Sequence, residues 1–205
     1  GDRRRFLDIV LSLNVKGYLQ VLQRFRQILA QRNAALKEGT GLDTVRAWDR
    51  GLVESGSSVL AERLRWVEGW SGTYAGYFQR ISGAQEGRVR YLPGLKLDGI
   101  QGEEGIAETY RRSLTESWDR ERRLGSTVVG PHRDDLLITG VEGGRERDIR
   151  EFGSGGQRRT AALALRLVEA ATIREARRQE PVVLMDDVFA ELDPGRSERV
   201  LALME

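Results

Sequence analysis

Two adjacent carboxylates near the end of the sequence, Asp186 and Asp187, are the residues best placed to do chemistry. They follow a short apolar run, residues 181–185, of the kind that forms a strand buried on both faces of a parallel sheet. The carboxyl end of such a strand is where α/β proteins bind their ligands. Mg²⁺ usually takes one or two carboxylates together with phosphate oxygens, so this position suits it. Asp193 adds a third carboxylate to the same stretch.

A glycine-rich segment upstream, FGSGGQRR, supplies the second chemical feature. It leads into an apolar stretch that predicts a helix of about 23 residues. A helix N-terminus presents unpaired N–H groups and the positive end of the helix dipole, so it can bind phosphate. Gly153, Gly155 and Gly156 allow the backbone to approach a ligand closely. Ser154 and Gln157 add side-chain hydrogen bonds.

The elements that must position these residues differ between the two parts of the chain. Residues 18–37 carry apolar residues at helical spacing, and a second such pattern runs from Val45 to Ile81, with Asp43 as its candidate N-cap. Five glycines inside the second pattern predict a kink or a break. A third helix is expected over residues 103–123. Two long helices in antiparallel contact would form a helical arm.

Short strands and turns are expected in the remaining segments. The patterns predict strands at residues 88–92, 126–129 and 136–139, and a hairpin loop at residues 140–144 before the glycine-rich turn. We therefore place a domain boundary after residue 124. Residues 1–124 are the helical arm, and residues 125–205 form a lobe that contains the candidate site.

Composition limits the alternatives. The 205 residues are enough for one domain or two small ones and contain no cysteine, which excludes disulfides and fits a reducing cytoplasm. No apolar run is long enough for a transmembrane helix, and the first residues do not resemble a signal peptide. Residues 1–125 hold 21 basic and 16 acidic residues, whereas residues 126–205 hold 12 and 15. A basic first part is compatible with nucleic acid, with Arg24, Arg26 and Arg32 as candidate DNA or partner contacts and a solvated helix face as the alternative.

Taken in order, these motifs resemble those of an ABC-type ATPase. Residues 154–157, SGGQ, resemble the signature motif, the strand ending in Asp186 and Asp187 resembles Walker B, and residues 191–193, ELD, resemble the D-loop. Further segments resemble the RecF family of recombination proteins: RRFLD at residues 4–8, QRN at 31–33 and VGPHRDDL at 129–136. The resemblance extends nearly from end to end of the chain.

This resemblance implies an α/β fold: a mostly helical arm of long antiparallel helices, joined to part of an ABC-type ATPase lobe with a P-loop-NTPase-like sheet. It implies that Asp186 holds Mg²⁺ through water and that Asp187, where most ABC proteins have glutamate, polarises the attacking water. The implied nucleotide-binding residues are Ser154, Gly155, Gly156, Gln157 and Asp193. Ser154, Gly156 and Gln157 would reach the γ-phosphate of ATP held by a second protomer, and Asp193 would lie at the same interface.

A phosphate-binding P-loop is missing from the sequence. That motif requires GK followed by Ser or Thr, and the three lysines, Lys16, Lys37 and Lys96, precede Gly, Glu and Leu. The chain is therefore identified as an internal and C-terminal portion of a RecF-like protein that lacks Walker A. ATP and Mg²⁺ binding would need the missing segment, and the chain alone is not expected to hydrolyse ATP.

The resemblance also implies a biological role. The family is implied to be ATP-dependent and DNA-binding, and to act in recombinational DNA repair, replication and the SOS response in the cytoplasm. It would close as an ATP-bound dimer on single-stranded or gapped DNA and support recombinase loading with RecR/RecO-type mediators, without contact with a membrane. One alternative is a P-loop-free adaptor that binds DNA or a repair partner without nucleotide. Another is a fragment of an SMC-like or RecN-like ATPase.

The GPHRDD segment carries separate alternatives. His132, the only histidine, is interpreted as a hydrogen-bonded structural residue, with a catalytic role as the alternative. Asp134 and Asp135 either pair with arginines or contribute to a metal site. Arg158 and Arg159 either contact phosphate or neutralise acidic neighbours.

Overall fold

The computed structural model describes residues 2–100, 102–184 and 193–203. In chain order the elements are α1 (Asp2–Asn14), α2 (Tyr18–Lys37), α3 (Leu42–Arg46), α4 (Asp49–Ser82), β1 (Glu86–Leu92), α5 (Glu103–Leu124), β2 (Asp135–Glu142), β3 (Arg145–Asp148), α6 (Ile149–Phe152), α7 (Gly155–Arg177) and α8 (Pro194–Leu201). The expected α/β class, in which long helices are joined to a part that contains a sheet, is confirmed. Within the described ranges, no helix combines the length and the apolarity needed to cross a bilayer.

By its internal contacts the chain divides into two compact units, each built from two segments. Unit 1 comprises Gly1–Trp66 and Tyr91–Asp135, and unit 2 comprises Val67–Arg90 and Leu136–Glu205. The long helix α4 therefore contributes its first part to unit 1 and its second part to unit 2. This division by packing differs from the functional boundary after residue 124, which stays a prediction.

The helices of unit 1 form where the apolar spacing predicts them. The residues that share one face are buried: Tyr18, Leu22, Phe25 and Leu36 on α2, and Ile106, Tyr110 and Leu114 on α5. Each fully buried side chain of this kind contributes about 1.5–3 kcal/mol through removal of apolar surface from water. Packing of these faces, more than helix propensity, therefore stabilises the unit.

The helix α4 is continuous through its glycines, so the predicted break at these glycines is wrong. The reason is close packing at two of them. A Cβ added at Gly56 would lie 2.7 Å from Tyr110 Cε1 and 3.2 Å from Phe25 Cε2, and one added at Gly51 would lie 2.8 Å from Ile28 Cδ1. These glycines allow neighbouring side chains to approach the helix backbone, and that packing offsets their low helix propensity.

The predicted N-cap role of Asp43 is also wrong. Gly41, with an extended backbone, is the N-cap of α3, and Asp43 lies inside the first turn of that helix. A carboxylate in the first turn still faces the positive end of the helix dipole, so the local electrostatic benefit remains. The break in the second helical pattern falls at residues 47–48, between α3 and α4.

Residues 126–129 are not a strand, contrary to the prediction from their composition. Two of their backbone donors bind side chains instead of a neighbouring strand. The Thr127 N–H donates to Asn33 Oδ1 at 2.8 Å, and the Val128 N–H donates to Glu121 Oε1 at 2.9 Å. Because these donors are satisfied by residues of α2 and α5, the segment needs no partner strand.

The sheet contains three described strands in the order β1-β2-β3, and β2 and β3 are antiparallel. The hairpin between them turns at Gly143 and Gly144, whose φ angles of 56° and 75° match a type I′ turn. The turn is shorter than the predicted loop at residues 140–144, because Gly140 is already paired with Arg147 in the ladder.

The apolar run before the two aspartates is not a strand in its described part, residues 181–184. Val182 and Leu184 are 87% and 91% exposed. None of the three described strands pairs with this run. An extended segment without a neighbouring strand leaves its backbone groups and apolar side chains in water, so the prediction of a strand buried on both faces is wrong for these residues.

Candidate functional site

The glycine-rich turn of unit 2 forms a capped helix start. Gly153 has an extended backbone and Ser154 is the N-cap of α7. Ser154 Oγ accepts from the Gln157 N–H at 3.2 Å, and Gln157 Oε1 accepts from the Ser154 N–H at 2.8 Å. A side chain would not fit at Gly153, because a Cβ there would lie 2.4 Å from the Ile149 carbonyl oxygen. This reciprocal capping box fixes the direction in which α7 begins.

The capping box does not satisfy the first two backbone donors of α7. The N–H groups of Gly155 and Gly156, the first two residues of α7, have no acceptor within the part of the chain that the structure describes. They lie at the positive end of a helix of 23 residues. Gly155 is exposed, and a Cβ added there would meet nothing within 4 Å. Two amide donors without a described acceptor, one of them beside open space, form a geometry that fits a phosphate group.

The start of α8 is linked to this turn by one arginine. Asp193 is the N-cap of α8, and its Oδ1 accepts from the Arg196 N–H at 3.0 Å. Asp193 Oδ2 also lies 3.3 Å from Arg196 Nε. The guanidinium of Arg196 then lies against Gly156, where an added Cβ would be only 2.0 Å from its Nη1. The fold thereby brings the Asp193–Arg196 pair beside the glycine turn.

The structure thus places residues 154–157 in one turn and connects Asp193 to it through Arg196. The nucleotide-binding roles of these residues stay predictions. The predicted metal ligand Asp186 and the predicted catalytic residue Asp187 lie outside the described residues. Across the described ranges, no three His, Cys, Asp or Glu side chains come together in a way that could hold a metal ion.

Sequence reasoning did not single out Arg196. The signal that could have identified it is its position in the first turn of α8, three residues after the N-cap. Basic residues are disfavoured in a first turn because they face the positive end of the helix dipole. An arginine in that position, close to a second helix start, therefore indicates a specific contact.

His132, in unit 1, occupies an environment suited to a hydrogen-bonded structural residue. Its Nε2 lies 3.0 Å from the Thr127 carbonyl oxygen, which can only accept, so the proton is on Nε2. Burial lowers the pKa of His132 to about 4, and its ring centroid lies 6.2 Å from that of Phe25. A neutral, packed imidazole holds the loop at residues 126–134 in place.

The two aspartates that follow are held by protein partners. Asp134 is buried, accepts a hydrogen bond from the Tyr91 hydroxyl and lies 3.6 Å from Arg63 Nη1. Burial raises the pKa of the Asp134 carboxyl. Asp135 pairs with Arg3, with 2.5 Å between Oδ2 and Nη2. Both carboxylates thus have basic partners, as one of the two alternatives expected.

The three candidate arm arginines differ in exposure. Arg24 and Arg26 have side chains that are 64% and 61% exposed, and they pair with Glu54 and with the buried Asp8, respectively. Arg32 is 1% exposed and forms an ion pair with the buried Glu121. The prediction that Arg32 contacts DNA or a partner is therefore wrong, because its guanidinium is used inside unit 1.

The chain is similar in sequence to known proteins over nearly its whole length. No family model matches the chain. The DNA replication and repair protein RecF of Lachnoclostridium phytofermentans is 35% identical over 209 residues, covering 98% of this chain and 53% of that protein. RecF of Chloroflexus aggregans is 36% identical over 215 residues, covering 100% and 53%. The chain spans about half the length of the curated relatives it matches.

Solved structures agree with the sequence comparison. Two structures of the recombination mediator protein RecF in the RecFOR pathway, RecF-ATPrS and RecF-ATP, superpose with TM-scores of 0.87 and 0.85. Both are 33% identical to this chain and cover 100% of it, while it covers 55% and 54% of theirs. The folded arrangement described above is therefore shared with about half of each of these proteins.

Proposed function

We propose that this chain, which belongs to the RecF family of DNA replication and repair proteins, supplies one side of a nucleotide site shared by two protomers. The side it supplies consists of residues 154–157 and Asp193. In this proposal the turn binds the γ-phosphate of ATP held by the partner protomer. The similarity to RecF-ATP structures supports nucleotide as the ligand class, since those relatives were solved with ATP or ATPrS.

One observation carries the proposal: the capping box satisfies the Gln157 N–H but leaves the N–H groups of the exposed Gly155 and the half-buried Gly156 without an acceptor among the described residues. Phosphoryl transfer depends mainly on positioning and on neutralising charge on the transferred group. Backbone donors at a helix N-terminus can position a phosphate and neutralise its charge without reorganisation, because the helix holds them in place before the ligand binds. The turn thus fits an anion.

The remaining roles belong to the same proposal. Asp186 would hold Mg²⁺ and Asp187 would polarise the attacking water. The complete protein would act in recombinational repair and replication and in the SOS response, in the cytoplasm. It would close as an ATP-dependent dimer on single-stranded or gapped DNA and support recombinase loading with a RecR/RecO-type mediator. What supports this wider role is the similarity to RecF proteins over nearly the whole chain.

The experiment that tests the proposal replaces Ser154 with Arg in the full-length gene product. The substitution removes the cap acceptor and places a bulky cation over the Gly155 and Gly156 donors, so ATP-dependent dimerisation should be lost. Sedimentation velocity with and without ATP measures it. Ser154→Thr is the matched control, because threonine also caps helices and should keep the dimer. Dimers that form normally in Ser154→Arg would count against a shared site at this turn.

A further inference from the structure

Arg196 has a position that the proposed function does not require. Its side chain is 19% exposed, and its guanidinium lies directly against the backbone of Gly156. The space that a phosphate would enter to reach the Gly156 N–H therefore borders this guanidinium. A ligand bound at the turn would lie beside both the backbone donors and the arginine.

This arrangement brings several positive charges together at the start of α7. The start of α7 is the positive end of a helix dipole, and its first turn contains no acidic residue. Arg158, close by, donates from Nη1 to the Gly153 carbonyl oxygen at 2.7 Å and adds another cation. The described acidic partner of Arg196 is Asp193, which also caps α8. A cation held at the positive end of a helix is repelled by that end, and a bound anion would remove the repulsion.

A second contact holds α8 in the position that presents Arg196. Arg199, one turn later on α8, donates from Nε to the Ile81 carbonyl oxygen at 2.9 Å. Ile81 lies in the last turn of α4, where carbonyl groups lack partners within the helix. The contact fixes one face of α8 against the end of α4. The placement of Arg196 is thus supported by a separate hydrogen bond.

We propose that Arg196 is a ligand-contacting residue that donates hydrogen bonds to the terminal phosphate of a nucleoside triphosphate bound at Gly155 and Gly156. Asp193 holds the guanidinium in place before the ligand binds. In the complex, some of the guanidinium N–H groups then donate to the phosphate instead of to Asp193. A planar guanidinium suits this role because it can bind two phosphate oxygens at once. The inference rests on the proposed function, since it deepens the assignment of the same site.

The test uses the full-length gene product and measures the ATP concentration that gives half-maximal dimerisation in sedimentation velocity. Arg196→Ala should raise this concentration by roughly 10-fold or more, because a charge-assisted hydrogen bond to the ligand is lost. Arg196→Lys keeps the charge but not the planar fork, so its increase should be smaller. Arg112→Ala, the same change at an exposed arginine in unit 1, should leave the concentration unchanged.

The outcomes separate this inference from the proposed function. If Arg196→Ala dimerises at the wild-type ATP concentration while Ser154→Arg does not dimerise, the role of Arg196 is overturned and the shared site stands. If the wild-type protein does not dimerise with ATP, both are overturned. Thermal unfolding without nucleotide shows whether Arg196→Ala folds. If it does not fold, Arg196→Lys decides, and a wild-type ATP concentration for that variant overturns the inference.

Discussion

Arg32 and Glu121 form a buried ion pair between α2 and α5, with 2.7 Å between Arg32 Nη1 and Glu121 Oε2 and side-chain exposures of 1% and 0%. The same arginine donates from Nε to Asp49 at 2.8 Å and from Nη1 to Thr127 at 2.9 Å. Glu121 in turn accepts from the Val128 N–H. One ion pair therefore connects two helices and the loop at residues 126–134. The two opposite charges compensate each other in the buried interior.

Removing the charge of Glu121 should destabilise the protein strongly. Glu121→Gln removes the fully buried anion that pairs with Arg32 and leaves the half-buried Asp49 as the described anionic partner of the guanidinium. We expect a loss of roughly 3 kcal/mol in the free energy of unfolding. Urea unfolding of the 205-residue chain measures it. Glu116→Gln is the control, because its contact to Arg112 is 3.8 Å long and exposed. That variant should lose less than about 0.5 kcal/mol, and equal losses in the two would contradict the argument.

Adding one methyl group to α4 should have opposite effects at two glycines. Gly56→Ala places a Cβ 2.7 Å from the Tyr110 ring and should cost about 1–3 kcal/mol, more than the helix propensity gained. Gly72→Ala meets nothing within 4 Å and should stabilise the protein by about 0.5–1 kcal/mol. Thermal unfolding compares the two variants with wild type. Stabilisation by Gly56→Ala would show that the close packing at this glycine is not needed.

Two buried tyrosine hydroxyls should respond differently to removal. The Tyr91 hydroxyl donates to the buried Asp134 and accepts from Arg63 Nη1 at 3.2 Å, so Tyr91→Phe should cost about 1–3 kcal/mol. The Tyr74 hydroxyl is buried and has no hydrogen-bond partner among the residues described, so Tyr74→Phe should be neutral or stabilising. Denaturant unfolding measures both variants. A larger loss for Tyr74→Phe than for Tyr91→Phe would reject this assignment of partners.

The buried imidazole of His132 should make stability depend on pH. Its pKa is lowered by burial to about 4 in the folded state, whereas an unfolded histidine titrates near pH 6.5. Below that pH the unfolded chain binds a proton that the folded chain does not, so stability is lost as the pH falls from about 6.5 towards 4.

The measurement compares unfolding free energies of wild type and His132→Gln at pH 7 and pH 5. Glutamine keeps a donor for the Thr127 carbonyl oxygen but does not titrate. Between pH 7 and pH 5 the free energy of unfolding should fall by on the order of 1 kcal/mol more in wild type than in the variant. Other titrating groups, including Asp134, are present in both proteins and cancel in the difference. Parallel pH profiles would show that His132 does not gain a proton on unfolding.

Several features could be predicted because their causes are close together in the sequence. The start of α7 follows from Ser154 and from Gln157 three residues later, which complete a capping box within one turn. The β2–β3 hairpin follows from Gly143 and Gly144, which accept the positive φ angles of a type I′ turn. The faces of α2 and α5 follow from helical spacing alone.

Other features depended on neighbours far away in the chain. Residues 126–129 have strand composition, but Asn33 and Glu121 bind their backbone donors and make a partner strand unnecessary. Residues 181–184 have the composition of a buried strand, but no described strand pairs with them. From the sequence alone, the glycines of α4 predict breaks in the helix. The positions of Phe25 and Tyr110 beside Gly56 show why a small residue is needed there.

By itself, the sequence determined the helical spacing, the capped glycine turn and the motifs that indicate the family, since each of these depends on residues within a few positions of one another. Only the tertiary structure decided that Arg32 is buried against Glu121 and that Arg196 lies against Gly156. The members of these pairs are far apart along the chain. Local periodicity contains no information about which distant charge a side chain will meet, so such contacts appear only when the helices pack.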